Sequence, residues 1–500
     1  MPFSFSPTPE QAAILEAANT TRANLCIQAL AGCAKTSTLV LLAEKIRPKV
    51  PILSLAFNKK IALEMTERMP GHVQCSTLNS LGHRAWGQRI DRKLKLSFNK
   101  QGDNLKAYID SQPETARAAL WDDFSEIKRS IDTARNRGLR PGEVDTTCLS
   151  EGLANLSEDH AIDLINRLLD QSIAQAREGL IDFTDQLYMP TLFGAVYPAF
   201  PLTFVDEAQD LSPLNHLMLR QIVGTRRLIA VGDPNQSIYG FRGAVTDGMT
   251  ALTREWSMTT LPLSVTFRCP QALVRRAQRR VPHFRWAEGA PQGEVINLTK
   301  WETREDLAES PNTEGAFSLW SPKGIPDGAA ILCRNNAPLF RIALALLRAR
   351  RGVNLPGLDL GPALLKVMKK LGPTSLPSDE ALIKLSEWAD RMVKRRPSVE
   401  AATRDRQECI AVFLEDSYTL GEAIIVAEQL FAAEGPIQLL SIHKSKGLEW
   451  ETVFHLDPWR VPSKRAEPGT EAYEQELNLR YVCETRAKQR LVLANAEDFA

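Results

Sequence analysis

Leu228-Ile229-Ala230-Val231-Gly232-Asp233-Pro234-Asn235-Gln236-Ser237-Ile238-Tyr239-Gly240-Phe241-Arg242-Gly243-Ala244 couples an apolar run to a polar turn and then to an aromatic segment. Four apolar residues followed by Gly, Asp and Pro read as a buried strand that ends sharply, delivering Gln236 to the edge of a sheet. Tyr239 and Phe241 continue onto a surface where nucleic-acid bases can stack. A plain loop after a buried strand is the simpler reading of the same residues, so the rest of the chain decides between them.

A second strand, Leu25-Cys26-Ile27-Gln28, runs into Ala29-Leu30-Ala31-Gly32-Cys33-Ala34-Lys35-Thr36-Ser37 and then into the apolar helix around Leu39–Leu42. Small residues between a strand and a helix let backbone N–H groups surround phosphates at the helix N-terminus. Lys35 supplies positive charge to the β- and γ-phosphates and Thr36 a hydroxyl to Mg²⁺. Ala29 and Ala34 stand where this loop usually carries glycines, and a positive φ at position 34 is disfavoured for alanine. A third strand, Leu202-Thr203-Phe204-Val205, ends in Asp206-Glu207. Asp206 is suited to hold Mg²⁺, and Glu207 beside it to orient and deprotonate an attacking water.

Taken together these segments closely resemble the UvrD/Rep family of superfamily 1 helicases, whose motifs occur in family order from Gln11 to Arg486. The resemblance implies further roles. Thr8-Pro9-Glu10-Gln11 is similar to the adenine-reading motif, with Gln11 at the base edge, which favours ATP over GTP. Gln236 belongs to the motif that senses the nucleotide. Leu263-Ser264-Val265-Thr266-Phe267-Arg268 resembles the motif in which the aromatic, here Phe267, stacks on adenine and the arginine, Arg268, meets the γ-phosphate. Arg486, in Leu479–Ala487, is the second candidate for that cationic role. Ile442-His443-Lys444-Ser445-Lys446-Gly447-Leu448-Glu449 resembles the motif reaching both nucleotide and strand, which assigns Gly447 and Glu449 to the nucleotide and His443 to the strand. On the strand side, Phe57-Asn58 and Thr77 match two further motifs, although Leu78-Asn79 departs from the usual Phe-His. With them, Tyr239, Phe241 and Arg242 make up the expected DNA-binding set. The Glu476–Leu479 lead-in to the last motif and the modest second insertion look closer to short, phage-type or F-box-helicase-like members than to the long repair enzymes.

Five hundred residues exceed one core. Strand and helix alternate in two blocks, each interrupted by a helix-prone stretch, which is the pattern of parallel α/β sheets. With the resemblance this implies two RecA-like parallel-sheet domains in tandem, each with a helical insertion. Their expected bounds are 1–89 with 182–257 (insertion 90–181) and 258–352 with 436–500 (insertion 353–435). Within the second insertion, Thr419 and Glu422 fit a capping box and Gly435 a helix stop.

A net charge of +1 argues against a surface that attracts nucleic acid everywhere, but leaves room for a local groove. Basic clusters occur at Arg275–Arg285 and at Lys394-Arg395-Arg396, whose plain reading is a solvated helix face. Eight scattered cysteines indicate neither a disulfide framework nor a zinc or iron–sulfur site. No run is long and apolar enough for a membrane span and the opening lacks a signal pattern, which favours the cytoplasm of a bacterial or phage-infected cell.

The expectation is an ATP- and Mg²⁺-dependent helicase moving 3′ to 5′ on single-stranded DNA, acting at duplex/single-strand junctions with ATP hydrolysed between its two sheet domains. One alternative is a nucleotide-gated DNA-binding switch that hydrolyses slowly, motivated by Ala34. The other is a non-catalytic interaction protein, against which Lys35, Glu207 and Arg486 speak. Protein partners are not legible.

Overall fold

Ile52–Ala56 and Leu202–Val205 are buried at every position. Burial on both faces is what a parallel strand covered by helices on either side requires. The computed structural model describes residues 7–150, 152–238, 240, 248–299, 316–356, 360–395 and 400–499. They fall into two compact units, Met1–Ser264 and Val265–Ala500.

The strands of the first unit are β1 (Leu25–Ala29), β2 (Ile52–Ala56), β3 (Val73–Thr77), β4 (Lys95–Leu96), β5 (Leu180–Ile181), β6 (Leu202–Val205), β7 (Arg227–Gly232) and β8 (Thr259–Leu263). Six of them make one sheet in the order β3-β2-β6-β7-β1-β8, with every pairing parallel. Because β7 lies between β1 and β6, the C-terminal ends of the phosphate-loop strand, the carboxylate strand and the glutamine strand emerge side by side. Ligands of open parallel sheets bind at such strand ends.

Between β4 and β5 the chain forms helices Lys100–Asp110, Glu114–Asp122, Phe124–Arg137 and Glu158–Arg177. In the last of these, Leu164, Ile165, Leu168 and Leu169 are buried at helical spacing against Leu105, Ile109, Ile127 and Ile131. Under this apolar core sits a buried ion cluster. Lys100 Nζ lies 2.7 Å from Asp185 Oδ2. Arg135 donates to both oxygens of Asp182, at 2.8 and 2.6 Å, and to Asp185 Oδ1 at 2.7 Å. Two cations meet two carboxylates, so the cluster is neutral and hydrogen-bonded, the condition under which buried charge is tolerated.

The second unit contains β9 (Val265–Thr266), β10 (Arg285–Trp286), β11 (Glu294–Asn297), β12 (Ala330–Cys333), β13 (Val353–Asn354), β14 (Ile437–Ser441), β15 (Trp450–Leu456) and β16 (Ala487–Ala494). Its main sheet runs β11-β16-β15-β12-β14-β13, again all parallel. The expected fold class, two parallel-sheet α/β domains each interrupted by helices, is what forms. The second interruption consists of Leu360–Leu371, Ser378–Arg395, Glu400–Glu415 and Leu420–Phe431. Phe340, Phe413 and Phe431 meet pairwise at 5.5–5.7 Å between ring centroids and anchor it to the sheet domain.

Thr419 caps the last of these helices by accepting from the Glu422 N–H, but the Glu422 carboxylate bonds the N–H of Tyr418, one residue before the box position. Gly435 is not the helix stop: the helix ends at Phe431. A Cβ at Gly435 would lie 2.1 Å from the carbonyl carbon of Gly352, so the glycine serves a close backbone approach. No helix among the described residues is long and apolar enough to cross a membrane.

Candidate active site

The loop after β1 carries its departure from the usual glycine pattern in its backbone. Ala34 sits in the left-handed region, φ 58° and ψ 39°, and Gly32 at φ 70°. The disfavoured geometry anticipated at position 34 is therefore adopted, at about 1–2 kcal/mol for a residue with a Cβ. Ala29, Leu30, Ala31 and Cys33 are buried, so what the loop can present to a ligand is backbone. Helix Lys35–Lys45 starts without a side-chain cap, which leaves its first amides available to a phosphate. Ser37 is engaged sideways, its Oγ accepting from Arg68 at 2.9 Å.

Carboxylates from the ends of β6 and β7 gather round Lys35. Its Nζ lies 2.8 Å from Glu207 Oε2. Glu207 is also left-handed, φ 54°, and its N–H bonds Asp206 Oδ1 at 2.9 Å. Thr36 Oγ1 stands 3.5 Å from Asp206 Oδ2. The Gln209 amide bridges onward, donating to Glu207 at 2.6 Å and accepting from the Asp233 N–H at 3.0 Å. Asp233 in turn accepts from Gln236 Nε2 at 2.6 Å. A continuous hydrogen-bonded chain thus runs Lys35–Glu207–Gln209–Asp233–Gln236 across the ends of β1, β6 and β7. Gln209 and Asp233 are the members of this chain to which the sequence reading gave no role; their positions, two residues after Glu207 and directly after β7, were the available signals.

The charges here do not balance. Burial, then the neighbouring Glu207 charge, push Asp206 up to about 7, with Lys35 opposing. Burial also raises Asp233 against the pull of Lys35. For Lys35, burial favours the neutral amine, but Glu207, Asp206 and Asp233 outweigh it and hold the ammonium above its ordinary range. Three carboxylates around one cation form a site that a divalent metal would complete, and Thr36 with Asp206 is the pair of oxygens that fits it. Among the described residues no cluster of three His, Cys, Asp or Glu forms a metal cage. Mg²⁺ held through one carboxylate and substrate phosphates needs none.

Gln11 reaches this loop from helix Pro9–Thr20. Its Oε1 accepts the Thr8 N–H at 3.0 Å in a capping box, and its Nε2 donates to Thr38 at 3.0 Å. One amide hydrogen and one lone pair remain for a base edge.

In the second unit, Phe267 is half exposed and Arg268 Nε lies 2.5 Å from Glu449 Oε2. Lys488 holds the other oxygen of Glu449 at 2.9 Å. Burial alone would raise the Glu449 carboxyl, but Lys488 and Arg268 bring it below its usual range. Arg486 is buried, donating to the carbonyls of Val482 and Leu448 at 2.9 and 3.3 Å. It therefore also braces the turn at Gly447, where φ is 84°.

Residues 9–257 match the model of the UvrD/REP helicase N-terminal domain, and residues 380–498 that of the UvrD-like helicase C-terminal domain. The chain belongs to the UvrD/REP helicase family. As a member it is an ATP-dependent DNA helicase. It is 23% identical to DNA helicase II of Escherichia coli K12, over 96% of this chain and 84% of that one. It is 25% identical to F-box DNA helicase protein 1 of Schizosaccharomyces pombe, over 97% of this chain and 57% of that one. The ATP-dependent DNA helicase UvrD2 of Mycobacterium bovis is 25% identical over 96% of this chain and 77% of its own length.

For a helicase of this family the remaining question is the strand. Phe57 is 42% exposed directly after β2, whereas Asn58 and Thr77 cap the helices that follow them, accepting from the N–H groups of Ile61 and Ser80. His443 sits half-buried in the short helix Ile442–Ser445. Tyr239, Phe241 and Arg242 lie outside the described residues. Trp86 is buried and donates to the Ala176 carbonyl.

Among the exposed aromatics that went unread, Phe183 and Trp459 sit beside polar or cationic groups. Phe183 is 54% exposed, 5.6 Å from Phe98, and its carbonyl accepts from Asn79. Asp182 and Asp185 exchange side-chain to backbone hydrogen bonds on either side of it, fixing the turn. Trp459, 45% exposed, has Arg460 and Lys464 over its ring. Aromatics beside short polar turns were the sequence signal for both.

Proposed function

We propose that this helicase translocates 3′ to 5′ along single-stranded DNA, opening duplex or clearing bound protein, with hydrolysis at the Lys35 centre. The observation that carries the motor reading is the hydrogen-bonded chain from Lys35 through Glu207 and Gln209 to Gln236. It ties the phosphate loop to the start of the segment that leads toward the strand. In this reading Lys35 neutralises the β/γ-phosphates, and Thr36 and Asp206 hold Mg²⁺. Glu207 takes the proton of the attacking water, while Arg268 and Arg486 offset transition-state charge. Mg²⁺ supplies additional charge neutralisation on the phosphates. Gln11 and Phe267 recognise adenine. Phe57, Tyr239, Phe241 and, from its exposure, Phe183 stack bases, each worth about 1–3 kcal/mol without sequence preference. Such a grip exceeds the roughly 1.4 kcal/mol average cost of opening a duplex step.

The direction rests on the likeness of Asp206–Asp210 and Gln236–Gly243 to members that move 3′ to 5′. Streptavidin displacement tests it: ATP should drive release from a biotin at the 5′ end and little from the 3′ end. The opposite preference, with ATPase intact, removes the direction and leaves the motor. A slow nucleotide-gated switch is the second reading, favoured by the strained Ala34 backbone. Strong stimulation of turnover by single-stranded DNA excludes it.

A further inference from the structure

The helices Leu360–Leu371 and Ser378–Arg395 of the second unit face each other across a groove of about 600 Å³, within the range of small-molecule sites. From the first helix come Lys366, Val367, Lys370 and Leu371; from the second Lys384, Glu387, Trp388, Arg391 and Met392; Arg406 closes one side. On the first helix these positions recur at spacings of three and four, and on the second at three, four and seven, so each set lies on one face. Five cations line the groove against one carboxylate. That carboxylate, Glu387, is 3.7 Å from Arg391, and both side chains are more than half exposed, so their attraction is weak. Among the described residues no carboxylate forms an ion pair with Lys366, Lys370, Lys384 or Arg406. Val367 and Trp388 are partly buried against the core and give the groove an aromatic and aliphatic floor beneath a cationic rim.

Flat apolar surface below and excess positive charge above is the chemistry of a nucleotide: an aromatic base against Trp388, its phosphate among the lysines. We propose that this groove binds a nucleotide unit through its base and phosphate, as a site separate from the ATP centre. The concentration of cations extends toward Lys394, part of the basic cluster whose plain reading was a solvated face. The source is either one nucleotide of a single strand or a free nucleoside phosphate. The inference does not rest on the ATPase reading.

Photo-cross-linking of the full chain to a short oligo(dT) carrying 5-iodouracil, without ATP, tests it. The expected result is a cross-link in the peptide containing Trp388, lost in Trp388→Leu. Because Trp388 is partly packed, Lys370→Glu with Lys384→Glu is the second variant; both positions are on the groove rim, and the cross-link should fall at least about fivefold as two phosphate-facing cations become carboxylates. Competition separates the sources: displacement by millimolar dTMP identifies free nucleotide, and displacement only by unlabelled oligo(dT) identifies the strand. Cross-links elsewhere with none between residues 360 and 406 would overturn the proposal. So would an unchanged cross-link in the charge-reversed chain, or charge reversal that weakens duplex binding alone. Lys35→Ala should leave this cross-link intact, so loss of ATP turnover and loss of this site are separately readable.

Discussion

Two buried charge clusters in the first unit make opposite use of the same kinds of side chain. Lys100, Arg135, Asp182 and Asp185 are matched two against two and bonded at 2.6–2.8 Å. Lys35 faces Asp206, Glu207 and Asp233 alone. In the balanced cluster burial would raise Asp182, yet Arg135 and the Asp185 N–H hold its carboxyl far below the ordinary range. In the unbalanced one Asp206 is pushed up to about 7. The first arrangement has no unmet electrostatic demand and fastens a helical insertion; the second asks for a further cation, such as a divalent metal. Charge balance, more than burial, separates staple from site.

Substitutions that break one cluster should leave the other's property in place. Lys35→Ala should abolish ATP turnover while the chain still binds single-stranded DNA without nucleotide and keeps its fold by circular dichroism. Loss of both activities in a folded chain would contradict separate sites. Arg135→Ala should destabilise the first unit by about 3–5 kcal/mol, because Asp182 loses its only cation and Asp185 keeps Lys100 alone, which leaves one buried negative charge uncompensated. Denaturant melts read this, and a change below about 1 kcal/mol would deny the cluster its fastening role.

Acid sharpens the contrast. Asp182 has a depressed folded pKa, so its contribution is complete above the unfolded value near about 3.9 and is lost as pH falls from there through the folded value. Asp182→Asn should therefore show a shallower loss of stability below about pH 4 than the unaltered chain. Ala34→Gly is the smallest effect expected. Relief of about 1–2 kcal/mol of left-handed strain is partly offset by the extra freedom of glycine in the unfolded chain, about 0.5–1 kcal/mol. ATP binding should be equal or tighter, by calorimetry; loss of binding would mean that the loop does not cradle phosphate as described.

The long parallel strands were legible because four or five apolar residues bounded by Gly, Pro or Asp have little alternative. The two-residue strands such as β4 and β13 were not, since they carry no period. Lys35, Asp206, Glu207 and Gln236 could be nominated from local context, and the structure brings them together across adjacent strand ends. The Lys100–Asp185 cluster could not, because its partners lie 47 to 85 residues apart and read singly as surface charges. Gly435 was misread for a related reason: its need for a bare backbone comes from Gly352, which sequence proximity does not reveal. Asn58 and Thr77 were read toward the strand, while their capping work was equally visible in their residue types.

In the proposed mechanism Glu207 takes the proton from the attacking water at the unbalanced cluster. Glu207→Gln keeps the size and hydrogen bonding of the side chain but removes its basicity. Nucleotide binding and single-turnover hydrolysis, measured on the same preparation with single-stranded DNA present, should give near-normal ATP affinity and hydrolysis at least about a hundredfold slower. Near-normal hydrolysis by that variant would contradict the assignment.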